Sequence, residues 1–172
     1  IETLGKLTDP EYAPIFSKAL KSKSYSVLGK ALVATYYVDK DKAIKLSKEL
    51  PDEVRKIIAT PLTRIFIEEK DDTELVFIAK NVLSGMFLNN NPKTQALYKR
   101  AYEKIAKSNN TEAIKNLVDD MVAKGIQYKL YNFDKTVINL MRQMVQFQRD
   151  EEVPNKRVHI EIIRTGLLQL VN

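Results

Sequence analysis

Apolar residues recur three and four positions apart along almost the whole chain, with polar and charged residues between them. This spacing is the period of an α-helix that buries one face. Long alternating runs of β-branched residues, which are typical of strands, are absent from the sequence. Ser24–Val38 has the widest apolar stripe, and we expect a well-buried helix there. The pattern predicts an all-α chain.

Helix-start signals divide this pattern. In two places a residue that can serve as N-cap precedes a Pro at the first helical position. In two more, an Asp or Asn side chain and a Glu three residues later have capping-box spacing. These places are Asp9-Pro10 and Asn91-Pro92, and then Asp71 with Glu74 and Asn109 with Glu112. Together with the apolar period they predict about nine helices. Their approximate ranges are 10–21, 24–38, 41–50, 52–66, 73–88, 92–107, 111–124, 133–151 and 155–170.

Three local features refine these boundaries. Pro61 lies inside the fourth apolar pattern, so it either kinks that helix or restarts it with Thr60 as the cap. Gly125 follows the seventh pattern and is predicted to be its C-terminal cap. The polar stretch from Lys21 to Ser24 is predicted to be a helix corner, in which Ser22 or Ser24 accepts a bond from a free N–H of the next helix.

Short corners place consecutive helices antiparallel, so the nine helices form four hairpins and one closing helix. The hairpin period of about 30–45 residues lies in the range of helical-repeat solenoids. We therefore expect residues 1–172 to form a single domain of HEAT-like hairpins, stacked as a short curved solenoid. An ordinary helical bundle is the alternative.

Composition limits the function classes. The 28 Lys and Arg residues exceed the 22 Asp and Glu residues by six, but the lysines are spread through nearly every segment and mixed with acids. Solvated helix faces explain this distribution better than a nucleic-acid footprint does. The sequence has no Cys, which excludes thiol catalysis and thiolate metal sites. No apolar run approaches the ~20 residues that span a bilayer. We therefore expect a soluble protein, and the sequence does not indicate its cellular compartment. Because the chain starts at Ile1 without Met, we expect a piece of a longer protein.

Candidate chemistry is sparse. His159 is the only histidine, so a zinc site with several His ligands is excluded, and we expect it at the surface or at the boundary of the core. The adjacent carboxylates are interpreted as solvated, and the five isolated glycines form no phosphate loop. Most tyrosines are expected to pack with the ring inside and the hydroxyl outside, and Met141 and Met144 to fill the core. The sequence thus assigns no catalytic, cofactor-binding or metal-binding residue. The carboxylates are Glu68-Glu69, Asp71-Asp72, Asp119-Asp120 and Asp150-Glu151-Glu152, and the tyrosines are Tyr36-Tyr37, Tyr98, Tyr102, Tyr128 and Tyr131.

The first fifty residues resemble the C-terminal HEAT-like helical domain of zinc metallopeptidases similar to aminopeptidase N. The family usually has Asp at the position of Ser22, and Ser can still serve as a cap. The resemblance rests on Leu4-Gly5-Lys6-Leu7, Ile15-Phe16, Ala19-Leu20, Ser24-Tyr25-Ser26-Val27, Ala31-Leu32 and the segment 41–47.

This resemblance implies an accessory role. The family's zinc is held by an H-E-x-x-H helix and a further Glu, and that motif does not occur in this sequence. The chain would then be a non-catalytic domain without a cofactor of its own, with zinc in the parent protein. Its partners would be the catalytic domain of that parent and peptide substrates, whose access it would limit. A free-standing helical-repeat scaffold that binds a protein, or less readily a nucleic acid, is the alternative function.

Overall fold

The computed structural model describes residues 1–151 and 153–171, apart from the side chain of Glu2. The described residues form twelve α-helices and two short 3-10 turns, and they include no strand. The all-α prediction is confirmed. The described residues group into two compact units, 1–69 and 70–172, which are treated separately below. The solenoid arrangement and the single domain stay predictions.

Unit 1 is built around one buried helix. Its helices are α1 (Glu2–Gly5), α2 (Ala13–Ala19, after the 3-10 turn Pro10–Tyr12), α3 (Tyr25–Val38), α4 (Lys40–Glu49), α5 (Asp52–Ile57) and α6 (Ala59–Phe66). Helices α1, α2, α4 and α6 all pack against α3. The wide apolar stripe of α3 requires this burial, because several of its faces would otherwise be exposed to water. The core includes Phe16, Ala31, Leu32, Leu62, Ile65 and Phe66.

Unit 2 contains the longer helices. They are α7 (Leu75–Ala79), α8 (Val82–Phe87), α9 (Pro92–Lys107), α10 (Thr111–Gln127), α11 (Phe133–Asp150, after the 3-10 turn Lys129–Tyr131) and α12 (Lys156–Val171). Helix α10 packs against α7, α11 and α12, and α8 packs against α9. The predicted core role of Met141 and Met144 is confirmed, since both are fully buried. The core also includes Ile114, Leu117, Met121, Val137 and Ile163.

Twelve helices replace the nine predicted because one short helix was missed and two predicted helices are divided. The missed helix is α1. The predicted helix 52–66 ends at Ile57 and restarts at Ala59. The ring of Pro61 clashes with the carbonyl four residues earlier, which is that of Ile57, so the break lies there. Ile58, and not Thr60, occupies the N-cap position.

The predicted helix 73–88 is divided at Lys80 and Asn81. Here the Asn81 side chain turns back and donates to the Phe77 carbonyl oxygen at 3.3 Å. An Asn that bonds to nearby backbone competes with the regular helical ladder. The predicted start of this helix is also wrong, since Asp71 accepts from the Thr73 N–H in a local turn and the helix begins only at Leu75.

Of the remaining predicted helix caps, two are confirmed and two are wrong. Asp9 and Asn91 are N-caps, as predicted, although Asp9 caps a 3-10 turn. Asn110, and not Asn109, caps α10 by accepting from Ala113 N–H. Gly125 is not a C-terminal cap, because α10 continues to Gln127. A methyl group at Gly125 would lie 2.7 Å from Leu170 Cδ2, so the glycine allows α12 to approach α10.

The polar stretch between α2 and α3 is a corner, as predicted. Helix α2 ends at Ala19 and α3 begins at Tyr25. Ser24 occupies the N-cap position of α3 but makes no side-chain cap bond, whereas the Ser22 hydroxyl accepts from the Ser24 N–H at 3.1 Å. Ser22 therefore fixes the turn that leads into the helix.

Candidate functional site

The only histidine lies in the core of unit 2. His159 is fully buried, so the expectation that it lies at the surface or boundary is wrong. Its row on α12 continues with Ile163, Gly166 and Leu170, all of which are buried. This spacing of four, three and four residues marks the buried face of the helix and was readable from the sequence.

A polar network surrounds the His159 ring. Its Nδ1 lies 2.8 Å from Gln148 Oε1, and its Nε2 lies 2.8 Å from Thr111 Oγ1. The Gln148 amide nitrogen donates to the Ala106 carbonyl oxygen at 2.7 Å and to that of Ser108 at 3.2 Å. The network therefore joins the end of α9, the start of α10, and the buried faces of α11 and α12.

These bonds determine the protonation state of the ring. The Gln148 amide nitrogen already donates to two carbonyls, so its oxygen faces the imidazole and must accept. His159 therefore carries its proton on Nδ1, and Nε2 accepts from the Thr111 hydroxyl. Burial lowers the pKa of His159, because desolvation disfavours the charged ring. The group is a neutral structural histidine.

The network leaves no coordination site for zinc. Both ring nitrogens of His159 are engaged, and a metal ligand would have to give up Gln148 or Thr111. Among the described residues, no three His, Cys, Asp or Glu side chains are placed to share a metal ion.

The adjacent carboxylates of unit 2 lie close to lysines. Lys115 Nζ lies 2.6 Å from Asp119 Oδ2, Lys124 pairs with Asp120, and Lys104 Nζ lies 3.8 Å from Asp72 Oδ1. Pairs of this kind on helix surfaces stabilise a fold only weakly. Lys115 and Asp119 are exposed, as the interpretation of solvated helix faces predicts. The Asp120 side chain is only 19% exposed and its Oδ2 is buried, so that interpretation is wrong for Asp120. Glu152 lies outside the described residues.

In unit 1 the Glu69 carboxylate links α3 and α4 to the last residues of the unit. Glu69 accepts from the Tyr36 hydroxyl at 2.6 Å and lies 3.1 Å from Lys40 Nζ. Burial, together with this bond to Glu69, raises the pKa of the Tyr36 hydroxyl. Tyr36 therefore stays protonated and acts as a donor that fixes the chain after α6.

The other tyrosines differ in burial. Tyr98 and Tyr102 are buried, and the Tyr102 hydroxyl donates to the Leu140 carbonyl oxygen at 2.7 Å, so it does not point to solvent. Tyr131 has 81% of its side chain exposed, which contradicts the expectation of an inward ring.

Unit 1 carries an open groove between α3 and the pair α5 and α6. The groove has a volume of about 390 Å³ and is lined by Tyr25 and Lys30 on one side and by Ile57, Pro61 and Arg64 on the other. Gly29 forms its floor, where a methyl group would lie 2.6 Å from Pro61 Cγ. Its charged lining residues are both cations, so the groove suits a ligand with an apolar part and a carboxylate.

Unit 2 carries a second groove, between α10 and α12. It has a volume of about 610 Å³, and Val118, Val122 and Ile162 form its apolar part. Its charged lining residues are of both signs, with Lys115 and Arg157 beside Asp119 and Glu161. A surface of this mixed kind suits a protein segment better than a polyanion, which would be repelled by the acids.

No protein-family model, curated protein or solved structure matches this chain. The resemblance to the aminopeptidase N-like helical domain is therefore a prediction that rests on the quoted residues alone. In the part of the chain that the structure describes, no helix is long and apolar enough to cross a membrane.

Proposed function

We propose that this chain is a non-catalytic helical domain of a zinc aminopeptidase-like protein, where it packs against the catalytic part and restricts the entry of peptides. One observation supports this best. Four of the five exposed large apolar residues of unit 1 lie in its first 25 residues, within the first fifty residues that carry the family resemblance. They are Ile1, Leu7, Ile15 and Tyr25. Exposed apolar side chains concentrated in one segment are typical of a surface that another domain covers.

The groove of unit 1 supports the peptide part of the proposal. Lys30 would attract a carboxylate of a peptide, and Tyr25 with Ile57 would contact its apolar side chains. The groove's remaining polar lining residues include the hydroxyl side chains of Ser26 and Thr60. We assign the groove the role of holding or excluding peptides. Chemistry on the peptide bond belongs to the catalytic part in this account.

An aminopeptidase assay on two samples tests the proposal. The first sample is the 172-residue chain alone, and the second is the native protein, purified from its cells with an antibody against the same residues. We expect no cleavage of aminoacyl p-nitroanilides by the first and cleavage that a zinc chelator abolishes by the second. Cleavage by the chain alone, or an inactive native protein, would contradict the proposal.

A free-standing scaffold for proteins is the second candidate, and the groove between α10 and α12 favours it. The mixed charges around that groove suit a partner helix with charges of both signs. A salt-dependent affinity for nucleic acid would instead favour a polymer-binding scaffold. Binding of a protein partner or of nucleic acid, combined with a native protein of the size of this chain, would replace the aminopeptidase proposal.

A further inference from the structure

The exposed apolar residues of unit 2 are concentrated at one end. Of the eight large apolar side chains exposed in the described part of this unit, seven lie there and only Val158 lies elsewhere. Leu130 has 94% of its side chain exposed and Tyr131 has 81%. We call this surface the apolar end of unit 2. It consists of Phe87, Leu88, Ile126, Leu130, Tyr131, Leu168 and Val171.

Direct contacts bring together the helix ends that carry these residues, although the residues come from four segments of the chain. The Phe87 ring at the end of α8 meets the Phe133 ring at the start of α11 edge to face, with centroids 5.2 Å apart. The Tyr128 ring after α10 contacts Phe133 in the same way at 6.1 Å. Gly125 near the end of α10 lies against Leu170 in the last turn of α12. The ends of all four helices therefore meet at this surface.

The turn that projects furthest from this end has its backbone bonded internally. The Tyr131 N–H donates to the Tyr128 carbonyl oxygen at 3.0 Å, and the Asn132 N–H donates to that of Lys129 at 2.9 Å. Asn132 adopts the left-handed conformation, with φ of 57°, which turns the chain into α11. Bonded backbone groups lower the cost of moving this turn from water into a less polar medium.

Positive charge surrounds the apolar side chains. Lys93, Lys129 and Lys135 are exposed at this end, and Lys124 is paired with Asp120 one turn away. Asp134 is the one further acid in the described segments that meet here, and it is half-buried. The end thus presents a projecting Leu and Tyr among lysines.

We propose that the apolar end of unit 2 binds the surface of an anionic lipid bilayer. Leu130 and the ring of Tyr131 enter the boundary between headgroups and acyl chains, where an amphipathic aromatic ring is favoured. Lys129 and Lys135 keep their ammonium groups among the lipid phosphates. A bilayer accepts exposed apolar side chains without a matching pocket, which a protein partner would need. This proposal is independent of the aminopeptidase role.

Vesicle sedimentation with the 172-residue chain tests the proposal. We expect binding to phosphatidylcholine vesicles that contain about 30 mol% phosphatidylserine, and at least about tenfold weaker binding to phosphatidylcholine alone. Raising the salt from about 50 to about 300 mM should weaken binding, because the lysine contribution is screened. Leu130→Ser combined with Tyr131→Ser should weaken it by about tenfold or more, and Lys129→Glu by about fivefold or more.

Two control variants match these changes elsewhere on unit 2. Val158→Ser removes the exposed apolar side chain that lies away from the apolar end, and Arg149→Glu reverses an exposed charge at the opposite end of α11. Both should bind vesicles like the original chain. Since Leu130 and Tyr131 are almost fully exposed, their Ser variants should keep the original melting temperature, so a loss of binding reports on the surface itself.

Three results would overturn the proposal. The first is no binding to the anionic vesicles, and the second is binding that the Leu130 and Tyr131 changes leave intact. The third is binding that Val158→Ser weakens as much as the double change of Leu130 and Tyr131 to Ser does. In another outcome, sedimentation velocity shows that the original chain forms dimers and that the Leu130 and Tyr131 double variant is a monomer. With no vesicle binding, that result would make the apolar end an interface between copies of the chain.

Discussion

His159 Nδ1 lies 2.8 Å from Gln148 Oε1, and this bond joins the buried faces of α12 and α11. The same Gln148 satisfies two carbonyl oxygens at the end of α9. A buried polar network with every member bonded rigidifies a core and fixes one arrangement of its helices. In unit 2 it holds the α9–α10 corner against the last two helices.

The first prediction is that stability falls in mild acid. The folded pKa of His159 is lowered below the unfolded value of 6.5, so the unfolded chain binds the proton more tightly. The contribution of this group is complete above the unfolded pKa and is lost as the pH falls towards the folded pKa. Urea unfolding should lose up to about 1.4 kcal/mol per pH unit in that window.

The chain offers a direct check, because its single histidine gives one set of imidazole NMR signals. The midpoint of their titration in the folded protein should lie below 6.5. A midpoint at or above that value would contradict the account. A His159→Gln variant should lose the dependence of stability on pH in this window.

The second prediction concerns Gln148. Gln148→Leu should lower the free energy of unfolding by about 2–4 kcal/mol, since it leaves buried carbonyl oxygens and the His159 N–H without partners. Gln146→Leu on the same helix is the matched control. Its side chain is exposed and bonds only to Asp150, so a change within about 0.5 kcal/mol is expected. Equal effects in urea unfolding would mean that the network contributes little.

The third prediction concerns the close packing of α8 on α9. A methyl group at Gly85 would lie 2.0 Å from Tyr98 Cδ2, within the buried ring. Gly85→Ala should therefore destabilise by about 1–3 kcal/mol, although Ala is the better helix former by about 1 kcal/mol. Thermal unfolding measures the sign directly. A variant more stable than the original chain would show that the ring moves aside without cost.

The fourth prediction concerns Tyr102, whose buried hydroxyl donates to the Leu140 carbonyl oxygen. Burial raises the pKa of this hydroxyl, so it stays protonated through the neutral range. Tyr102→Phe should cost about 1 kcal/mol of unfolding free energy. Tyr131→Phe removes the same hydroxyl from an exposed ring and should change stability by less than about 0.5 kcal/mol. Indistinguishable variants would refute the role of the Tyr102 bond.

Much of the fold could be predicted from periodicity and capping, and the errors have local causes. Helix α9 begins and ends as predicted, because Asn91 and Pro92 mark its start and its apolar spacing is regular. Pro61 predicted that the fourth helix kinks or restarts, and it restarts after Ile57 with a different cap from the one predicted. The break at Asn81 interrupts a continuous apolar pattern, and periodicity carries no signal for it. Gly125 resembled a cap, but its purpose is the approach of Leu170, a contact between distant residues.

The polar network shows a different limit. The buried row of His159, Ile163 and Gly166 was visible in the sequence, yet a lone His among apolar residues gives no sign of its partners. Gln148 and Thr111 lie 11 and 48 residues away from it, on other helices. Polar partners of this kind depend on how helices pack, which single-sequence patterns do not encode.

If this helical chain works as part of a zinc aminopeptidase, as we propose, the native protein must be large and must contain zinc. We would purify that protein from its cells with an antibody against these residues and measure its mass and zinc content. The account predicts a mass far above the 19.7 kDa of the chain and one tightly bound zinc ion per molecule. A native mass near 19.7 kDa, or a larger protein without zinc, would contradict it.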